Sequence, residues 1–418
     1  MEKLVIKGGR KLCGQIAVHG SKNSSLPILA GAVLCHGETV IHNCPDLTDV
    51  DAAINILESL GCRIHREKST LIIDSSDISS SEISEELMRE MRSSIVFLGP
   101  LLARTGAAFL TAPGGCEIGL RPIDLHLKAL RELGMEINEQ SGRLCCRVKE
   151  KIKGAEITLG FPSVGATENI MLAAVTAEGT TVIVNAAREP EIKNLADFLN
   201  SCGGKIHFAD KGAIIIEGVE KLHSTEFTVI SDRIVAATYM AAVAISGGEA
   251  DITNFPVDDI APVLPAFYSA GCKIKAYSNT LHIKAPERLD SLGTLRTMPF
   301  PGFPTDFQAP SMAMAVVSEG TSIFIETIFE SRYKHVSQLK RMGANISVEG
   351  SVAVVQGVNK LSGAVVQAED LRGGAALVLA ALMADGESQM FNLKHIDRGY
   401  EKIEDNLRLL GADIYREV

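Results

Sequence analysis

A Gly-x-x-Ile signature recurs about every 70 residues along the chain. Self-similarity at a fixed period is typical of a chain built from copies of one supersecondary unit. The repeat therefore limits the fold to an assembly of six similar units. The six copies are Gly61–Ile64, Gly134–Ile137, Gly203–Ile206, Gly271–Ile274, Gly343–Ile346 and Gly411–Ile414.

Each repeat combines an apolar helical run, a short strand, a second helix that ends at the signature glycine, and a strand pair. A glycine after the last helical residue is a common C-terminal cap. Residues 169–177 and 375–384 are apolar nearly all round, which predicts helices buried inside a domain with sheets outside. We expect an α/β protein with three units in each of two domains, because a single core rarely spans so many residues.

Composition excludes several classes of function. The chain of 418 residues carries a net charge of −10, which argues against a nucleic-acid binder that uses a broad basic surface. Its first ten residues lack the apolar core of a signal peptide, and its longest apolar runs are about half a membrane span. These features predict a cytoplasmic protein.

The cysteines indicate reduced thiols. There are nine, an odd number, and the sequence has no Cys-x-x-Cys pair and no Cys/His cluster at zinc-ligand spacing. Neither a disulfide framework nor a structural metal is predicted.

Charged side chains recur near equivalent helix starts, where free amides and the helix dipole attract anions. A set of cations at such positions in an acidic protein predicts a strongly anionic ligand, since guanidinium groups suit phosphate and carboxylate alike. The alternative for each residue is an exposed arginine that is solvated or paired with a neighbour such as Glu189 or Asp397. The cations are Lys22, Arg92, Arg121, Arg332, Arg372 and Arg398.

Residues 113–124 form a glycine-rich segment with one thiol, Cys116, five residues before Arg121. Glycines at this density suit a loop that opens and closes. A nearby guanidinium favours the thiolate, which a reactive cysteine requires. The alternative is that Cys116 is a small core hydrophobe in an ordinary turn.

Two further segments allow a chemical and a structural interpretation. Asp306, where other repeats place cations, is either a general base or an N-cap for the helix that follows. Residues 163–169 either bind phosphate through backbone amides or only cap their helix. We expect His335 and His395 to be structural.

Long motifs in one order resemble the UDP-N-acetylglucosamine 1-carboxyvinyltransferases, a branch of the enolpyruvyl transferase family. The similarity covers the whole chain. Its main motifs lie at residues 20–27, 91–94, 113–126, 163–167, 187–192, 303–306, 329–333, 370–372 and 395–400.

The resemblance implies two inside-out α/β domains, residues 22–229 and residues 1–21 with 230–418, and an active site in the cleft between them. It implies transfer of enolpyruvate from phosphoenolpyruvate to the 3′-hydroxyl of UDP-N-acetylglucosamine with release of phosphate. This is the first committed step of peptidoglycan synthesis, on which the cell wall, cell shape and cell division depend. No metal, organic cofactor or obligate protein partner is expected.

The resemblance also assigns roles to residues. It implies that Cys116 is the acid and the site of a covalent adduct, and that Asp306 is the base. Phosphate of phosphoenolpyruvate is expected at Lys22, Arg121 and Arg398, its carboxylate at Arg332 and Arg372, and support of the site from Arg92. The amino sugar is expected near Asn23 and Ile328, and the uridine diphosphate near Arg121, Pro122, Asp124, Leu125, Ser163, Val164 and Gly165.

Relatives often carry a lysine just before the Ser-Val-Gly-Ala-Thr run, where this chain has Phe161-Pro162.

The alternative functions are a sister transferase that acts on shikimate 3-phosphate and a non-catalytic paralogue that binds a nucleotide sugar. The sister enzyme lacks the Cys116 loop. Lys22, Cys116, Asp306 and Arg398 argue against a silent copy.

Overall fold

The computed structural model describes residues 2–111, 123–140, 142–209 and 212–417. Their backbone divides into two compact units. The central unit lies within residues 20–230, and the terminal unit contains residues 2–19 and 231–417. The chain therefore begins in the terminal unit, builds the central unit and then returns.

The helices are short, as expected for segments of a small repeated unit. Among the described residues, the 3-10 helices Arg92–Phe97 and Leu393–His395 accompany them. The α-helices are α1 (Lys22–Ala32), α2 (Thr48–Ser59), α3 (Glu85–Glu90), α4 (Leu98–Thr105), α5 (Asp124–Glu132), α6 (Val164–Ala174), α7 (Pro190–Ser201), α8 (Arg233–Ile245), α9 (Leu264–Ser269), α10 (Thr305–Val317), α11 (Val336–Arg341), α12 (Leu371–Met383) and α13 (Ile403–Leu409).

The strands have two to six residues each. They are β1 (Lys3–Lys7), β2 (Cys13–Ala17), β3 (Cys35–His36), β4 (Glu38–His42), β5 (Arg63–Glu67), β6 (Thr70–Asp74), β7 (Ala107–Thr111), β8 (Met135–Gln140), β9 (Arg143–Val148), β10 (Glu156–Thr158), β11 (Thr180–Val184), β12 (Lys205–Phe208), β13 (Ile214–Glu217), β14 (Leu222–His223), β15 (Glu226–Thr228), β16 (Glu249–Thr253), β17 (Lys273–Tyr277), β18 (Thr280–Lys284), β19 (Thr294–Arg296), β20 (Thr321–Ile325), β21 (Asn345–Glu349), β22 (Val352–Gln356), β23 (Leu361–Ser362), β24 (Val365–Gln367), β25 (Ala384–Asp385), β26 (Glu387–Phe391) and β27 (Asp413–Glu417).

Small mixed sheets with one recurring strand order surround each unit. In each four-stranded sheet of the described residues, one edge strand runs parallel to its neighbour and the other pairs are antiparallel. The orders are β15-β4-β6-β5 and β10-β11-β13-β12 in the central unit, and β2-β16-β18-β17, β19-β20-β22-β21 and β24-β26-β1-β27 in the terminal unit. The sheet β7-β9-β8 lacks the parallel strand but has a parallel bridge between Glu82 and Phe109 at that edge.

Helices fill the interior of each unit. In the terminal unit α8, α10 and α12 pack against one another, and every residue of α8 is buried. In the central unit α6 packs against α4 and the first 3-10 helix, and α6 is buried from Ala166 to Ala174. Because these helices are apolar on all sides, they can only lie where other elements surround them. The predicted mixed α/β class is confirmed.

Each signature glycine follows the second helix of its repeat. Their φ angles lie between 85° and 106°, a left-handed conformation that side chains with a Cβ disfavour. The turn that glycine allows reverses the chain into the next strand, for instance from α2 through Gly61 into β5.

The N-terminal strands complete sheets whose other strands come from the C-terminal half. β1 pairs with both β26 and β27, and β2 pairs with β16. Leu4 and Ile6 of β1 are fully buried. No helix in the described part of the chain is long and apolar enough to cross a membrane.

Candidate active site

Lys22, the first of the predicted cations, lies at the start of α1 in the central unit. Ser21 caps the helix by accepting a hydrogen bond from the Ser24 amide, and Lys22 and Asn23 follow, both half-buried. The Lys22 ammonium lies 3.1 Å from a carboxylate oxygen of Asp49, which is buried on α2. Asp49 therefore fixes the direction of the Lys22 side chain at the helix start.

A second helix start in the central unit carries Ser163, Val164 and Gly165. The Ser163 hydroxyl accepts a hydrogen bond from the Ala166 amide, so the capping interpretation of this segment holds. A helix N-terminus retains amides without an intrahelical acceptor, so capping does not preclude anion binding. All three residues are partly exposed, which leaves the first turn accessible.

His126 of α5 packs against this first turn. A Cβ on Gly165 would lie 3.1 Å from His126 Cε1, so glycine permits the approach of the ring. On its other side, His126 Nδ1 lies 2.8 Å from the side-chain nitrogen of Asn169 on α6. Burial lowers the pKa of His126 to about 4, so the imidazole is neutral near pH 7.

Asp124 and Leu125, at the start of α5, line an open cavity of about 510 Å³. Lys128, Arg131 and Glu139 also line it, so its wall carries charges of both signs. The cavity joins apolar and charged groups, as a site for a nucleotide would require.

The terminal unit holds its charged residues in a buried cluster. The Asp306 carboxylate, 28% exposed, lies in the first turn of α10 between two guanidinium groups. Arg332 Nη2 is 2.8 Å from Oδ1, and Arg372 Nη2 is 3.2 Å from Oδ2. Asp306 is therefore not the N-cap of α10, a position that Pro304 occupies.

Arg372 is fully buried, and its guanidinium carbon lies 5.3 Å from the centre of the Tyr400 ring. Its Nε and Nη1 atoms have no hydrogen-bond partner among the described residues. Buried donors without partners are costly in a folded protein. Both atoms are closed to solvent, and the Tyr400 hydroxyl interacts with the same guanidinium group.

Glu326, at the end of β20, organises the backbone around Asp306. Its Oε1 accepts hydrogen bonds from the amides of Ile328 and Phe329 at 2.8 and 3.1 Å. Its Oε2 accepts one at 3.0 Å from the hydroxyl of Thr305, the residue before Asp306. One buried carboxylate thus sets the positions of Ile328 and of the first turn of α10.

Two predicted arginines lie in turns rather than in helices. Arg332 precedes α11 by four residues, and Arg398 precedes α13 by five. The sequence placed both near a helix start, and the structure places them in the turns that precede the second helix of their repeats, outside its first turn. Arg398 is half-buried, and the neighbouring Asp397 carboxylate is held by Arg416 at 2.7 and 3.0 Å.

Four predicted positions lie wholly or partly outside the described residues. They are Cys116, Arg121 and Pro122, together with the side chain of Arg92. Within the described residues, no group of three His, Cys, Asp or Glu side chains could hold a metal ion.

Comparison with known proteins assigns the family. The family model of EPSP synthase (3-phosphoshikimate 1-carboxyvinyltransferase) matches residues 6–407. The chain is 50% identical over 416 residues to UDP-N-acetylglucosamine 1-carboxyvinyltransferase 2 of Caldanaerobacter subterraneus subsp. tengcongensis, covering 100% of both chains. It is 49% identical over 420 residues to UDP-N-acetylglucosamine 1-carboxyvinyltransferase 1 of Symbiobacterium thermophilum, covering 99% of this chain and 95% of the relative. The chain belongs to the enolpyruvyl transferase family.

Solved structures agree on the fold. The enolpyruvyl transferase NikO from Streptomyces tendae superposes with a TM-score of 0.90 at 24% identity, covering 99% of this chain and 98% of that one. EPSP synthase from Acinetobacter baumannii gives a TM-score of 0.78 at 17% identity, with both chains fully covered. The mixed α/β fold is therefore that of EPSP synthase-like transferases, as the sequence resemblance implied.

The structure brings together some of the residues named from the sequence. Asp306, Arg332 and Arg372 form one cluster in the terminal unit. Sequence reasoning gave no role to Asp49, His126 or Glu326, because each contacts at least one partner more than 20 residues away in the chain. A weak signal existed for Glu326, a charged residue directly after an apolar strand.

Proposed function

We propose that this protein transfers enolpyruvate from phosphoenolpyruvate to the 3′-hydroxyl of UDP-N-acetylglucosamine and releases phosphate, the first committed step of peptidoglycan synthesis. Identity of 50% over the full chain to a UDP-N-acetylglucosamine 1-carboxyvinyltransferase carries this proposal. The buried guanidinium groups give it a physical basis, since both substrates are strongly anionic.

We also propose that the six sheets of three or four strands, with their helices, are copies of one unit, three in each domain, with domains at 22–229 and at 1–21 with 230–418. The recurring strand order and the glycine conformations support this interpretation. The location of the active site in a cleft between the domains stays a prediction.

In this proposal the carboxylate of phosphoenolpyruvate binds at Arg332 and Arg372. The two guanidinium groups are suited to it, because both already hold the Asp306 carboxylate, at 2.8 and 3.2 Å. A planar guanidinium group matches a carboxylate in a two-point contact.

The phosphate of phosphoenolpyruvate binds at Lys22, Arg121 and Arg398, with support from Arg92. Asp49 directs Lys22 and partly balances its charge before the substrate binds. The cations then stabilise the negative charge that accumulates as phosphate leaves.

Addition requires one proton on carbon and the loss of one from oxygen. The sugar oxygen bonds to C2 of phosphoenolpyruvate, its proton passes to Asp306, and Cys116 delivers a proton to C3. The tetrahedral ketal then loses phosphate, and loss of a proton from C3 restores the double bond. Cys116 is also the residue that forms a covalent phospholactoyl adduct through its sulfur.

UDP-N-acetylglucosamine binds along the central unit and near Ile328. Its diphosphate lies at Ser163, Val164 and Gly165, where the first turn of α6 is accessible. Its uridine lies at Asp124 and Leu125, which line the cavity beside α5, with Arg121 and Pro122 adjacent. Its amino sugar lies near Asn23 and Ile328.

The reaction as written balances without a metal or an organic cofactor. Both substrates are metabolites of the cytoplasm, so a cytoplasmic location is part of the proposal. The absence of nucleic-acid, membrane and obligate protein partners stays a prediction.

A substrate panel tests the function. Purified protein with phosphoenolpyruvate should release phosphate when UDP-N-acetylglucosamine is added, and should yield the enolpyruvyl ether in equal amount. Release with shikimate 3-phosphate instead would identify the sister activity. Binding of the nucleotide sugar without phosphate release would identify a non-catalytic paralogue.

Cys116→Ser tests the thiol. We expect a severe loss of turnover and loss of covalent labelling by the epoxide fosfomycin, whereas Cys202→Ser should change neither. Cys202 is a suitable control because it is buried, with its sulfur 3.5 Å from that of Cys35. Equal labelling of both variants would contradict the assignment.

A further inference from the structure

Arg416, in the last strand, is held by three carboxylates that the proposed reaction does not use. Its two Nη atoms donate to the two oxygens of Asp397, at 2.7 and 3.0 Å, in a two-point contact. Nε donates to Glu404 of α13 at 2.6 Å, and Nη1 also donates to Glu2 at 3.1 Å. Every nitrogen of this guanidinium group therefore donates to a carboxylate, and one cation joins both ends of the chain to the turn at Asp397.

This network differs from an ordinary surface ion pair. The side chains of Arg416 and Asp397 are 21% and 24% exposed, and that of Glu404 is 8% exposed. Isolated exposed pairs contribute little, whereas a two-point contact in a partly buried network holds both groups in one geometry. The hydrogen bond with Asp397 is the largest influence on the pKa of Arg416 and raises it, so the group stays charged.

Asp397 directly precedes Arg398, the arginine proposed to bind the phosphate of phosphoenolpyruvate. Both residues lie in the turn between the 3-10 helix Leu393–His395 and α13. A carboxylate next to a phosphate-binding cation is unfavourable, because it competes for the guanidinium group and repels the phosphate. Arg416 counters both effects, since it engages both oxygens of Asp397 and supplies a positive charge beside them.

We propose that Arg416 is a positioning residue for the phosphate site, because it holds the Asp397 carboxylate so that this charge does not compete with the substrate phosphate for Arg398. Arg416 acts through Asp397 and does not contact the substrate. The inference rests on the proposed function, because it takes Arg398 as a ligand of the phosphate. It gives a side chain of the last strand a role in substrate affinity.

Arg416→Met removes the cation and leaves the three carboxylates uncompensated by it. We expect the dissociation constant of inorganic phosphate and KM for phosphoenolpyruvate to rise about tenfold to a hundredfold, as for one like charge released near a bound anion. KM for UDP-N-acetylglucosamine should change by no more than about threefold, because the released charge acts on the phosphate position. Titration calorimetry and steady-state kinetics measure these effects.

A second substitution separates this role from a structural one. Asp397→Asn, added to Arg416→Met, removes the released charge and should return phosphate affinity to within about fivefold of wild type. A purely structural tether predicts no such recovery, because the double variant lacks both partners. Glu404→Gln in the same background is the matched control, since it removes one negative charge from α13 and should restore less affinity.

Arg10→Met controls for the loss of an ion pair to the last strand. Arg10 Nη2 lies 2.8 Å from the Asp413 carboxylate of β27, and the Arg10 side chain is 61% exposed. Removal of this exposed pair should leave phosphate affinity and both KM values within about threefold of wild type. Thermal unfolding verifies that each variant is folded. If Arg416→Met does not fold, Arg416→Lys, which keeps the charge but not the two-point contact, gives the same test with a smaller rise.

Unchanged phosphate affinity in the folded Arg416 variant would overturn the inference, and so would a double variant with Asp397→Asn that binds phosphate no better. Equal recovery by Glu404→Gln would overturn the specific role of Asp397. An equal rise of both KM values would also overturn it, because that result indicates a general loss of structure. Absence of wild-type turnover with UDP-N-acetylglucosamine would contradict the proposed function, whereas the phosphate titrations would still test Arg416.

Discussion

The two units present polar groups at helix starts in different ways. In the terminal unit, Asp306 lies between Arg332 and Arg372, so permanent charges are buried next to one another. In the central unit, Ser163 caps the start of α6, and the neutral ring of His126 packs beside Gly165. The start of α1 instead carries an ion pair, between Lys22 and Asp49.

This difference matches the two proposed ligands. Phosphoenolpyruvate is small and densely charged, so buried guanidinium groups can offset the cost of removing it from water. The diphosphate of a nucleotide sugar is flanked by large neutral groups that contribute their own binding energy. Amides and a neutral donor are then sufficient for it.

Arg372→Met should have the largest effect, because it removes a buried guanidinium from the charged cluster. We expect kcat/KM for phosphoenolpyruvate to fall roughly a hundredfold to a thousandfold, within the range for truncating one partner of a buried, hydrogen-bonded charge pair. Steady-state kinetics measure the effect, and Arg372→Lys, which keeps the charge but not the planar fork, should recover only part of it. Full activity of the methionine variant would contradict the role of the cluster.

Glu326→Ala tests whether the terminal unit depends on exact backbone placement. Loss of the acceptors for Thr305, Ile328 and Phe329 should lower kcat/KM by about a hundredfold, as expected for displaced substrate contacts. Glu326→Gln is the matched control, because its oxygen can accept from the amides and its NH₂ can donate to the Thr305 hydroxyl. If both variants lose activity equally, the negative charge matters and the placement argument fails.

Asp49→Asn probes the ion pair of the central unit. The neutral amide keeps the shape but weakens the contact to Lys22, so the free energy of unfolding should fall by about 1 to 3 kcal/mol. We expect KM for phosphoenolpyruvate to rise about tenfold, because Lys22 is less well directed. Denaturant unfolding and steady-state kinetics measure the two effects, and an unchanged KM would show that Asp49 serves stability only.

Glu168→Gln should have the smallest effect of the four substitutions. It should change only the pH dependence of the free energy of unfolding. Burial, followed by the charges of Glu191 and Glu189, raises the pKa of Glu168 to about 8 from an ordinary 4.5. Between these values the folded state keeps a proton that the unfolded chain releases, so wild-type stability falls as pH rises through this window.

Glutamine mimics the protonated acid, so the variant should lose less stability between about pH 5 and about pH 8. Melting curves over that range measure the slope for both proteins. Identical slopes would contradict the idea that Glu168 keeps its proton in the folded state.

Local features of the fold followed from the sequence, and distant pairings did not. The period predicted where apolar helices and signature glycines occur, because burial and φ preference act on single residues and short segments. Pairing of β1 with β26 and β27 joins the two ends of the chain, and periodicity carries no information on it.

Prediction of the candidate site from the sequence has the same limit: contacts between distant residues were not found. The recurrence of cations predicted an anionic ligand, but not that Arg332 and Arg372 share Asp306. His126 is one histidine on an amphipathic helix, and its tautomer depends on Asn169 and on the Gly99 amide. Such chains of hydrogen bonds arise from packing and leave no spacing in the sequence.

The most direct test of the proposal that the two units bind different ligands compares KM for both substrates in Arg372→Met and His126→Asn under identical conditions. The account predicts that Arg372→Met raises KM for phosphoenolpyruvate and changes KM for UDP-N-acetylglucosamine by no more than about threefold. It predicts the reverse for His126→Asn. If both variants raise KM for the same substrate, permanent charge and neutral donors do not serve different ligands, and the account is contradicted.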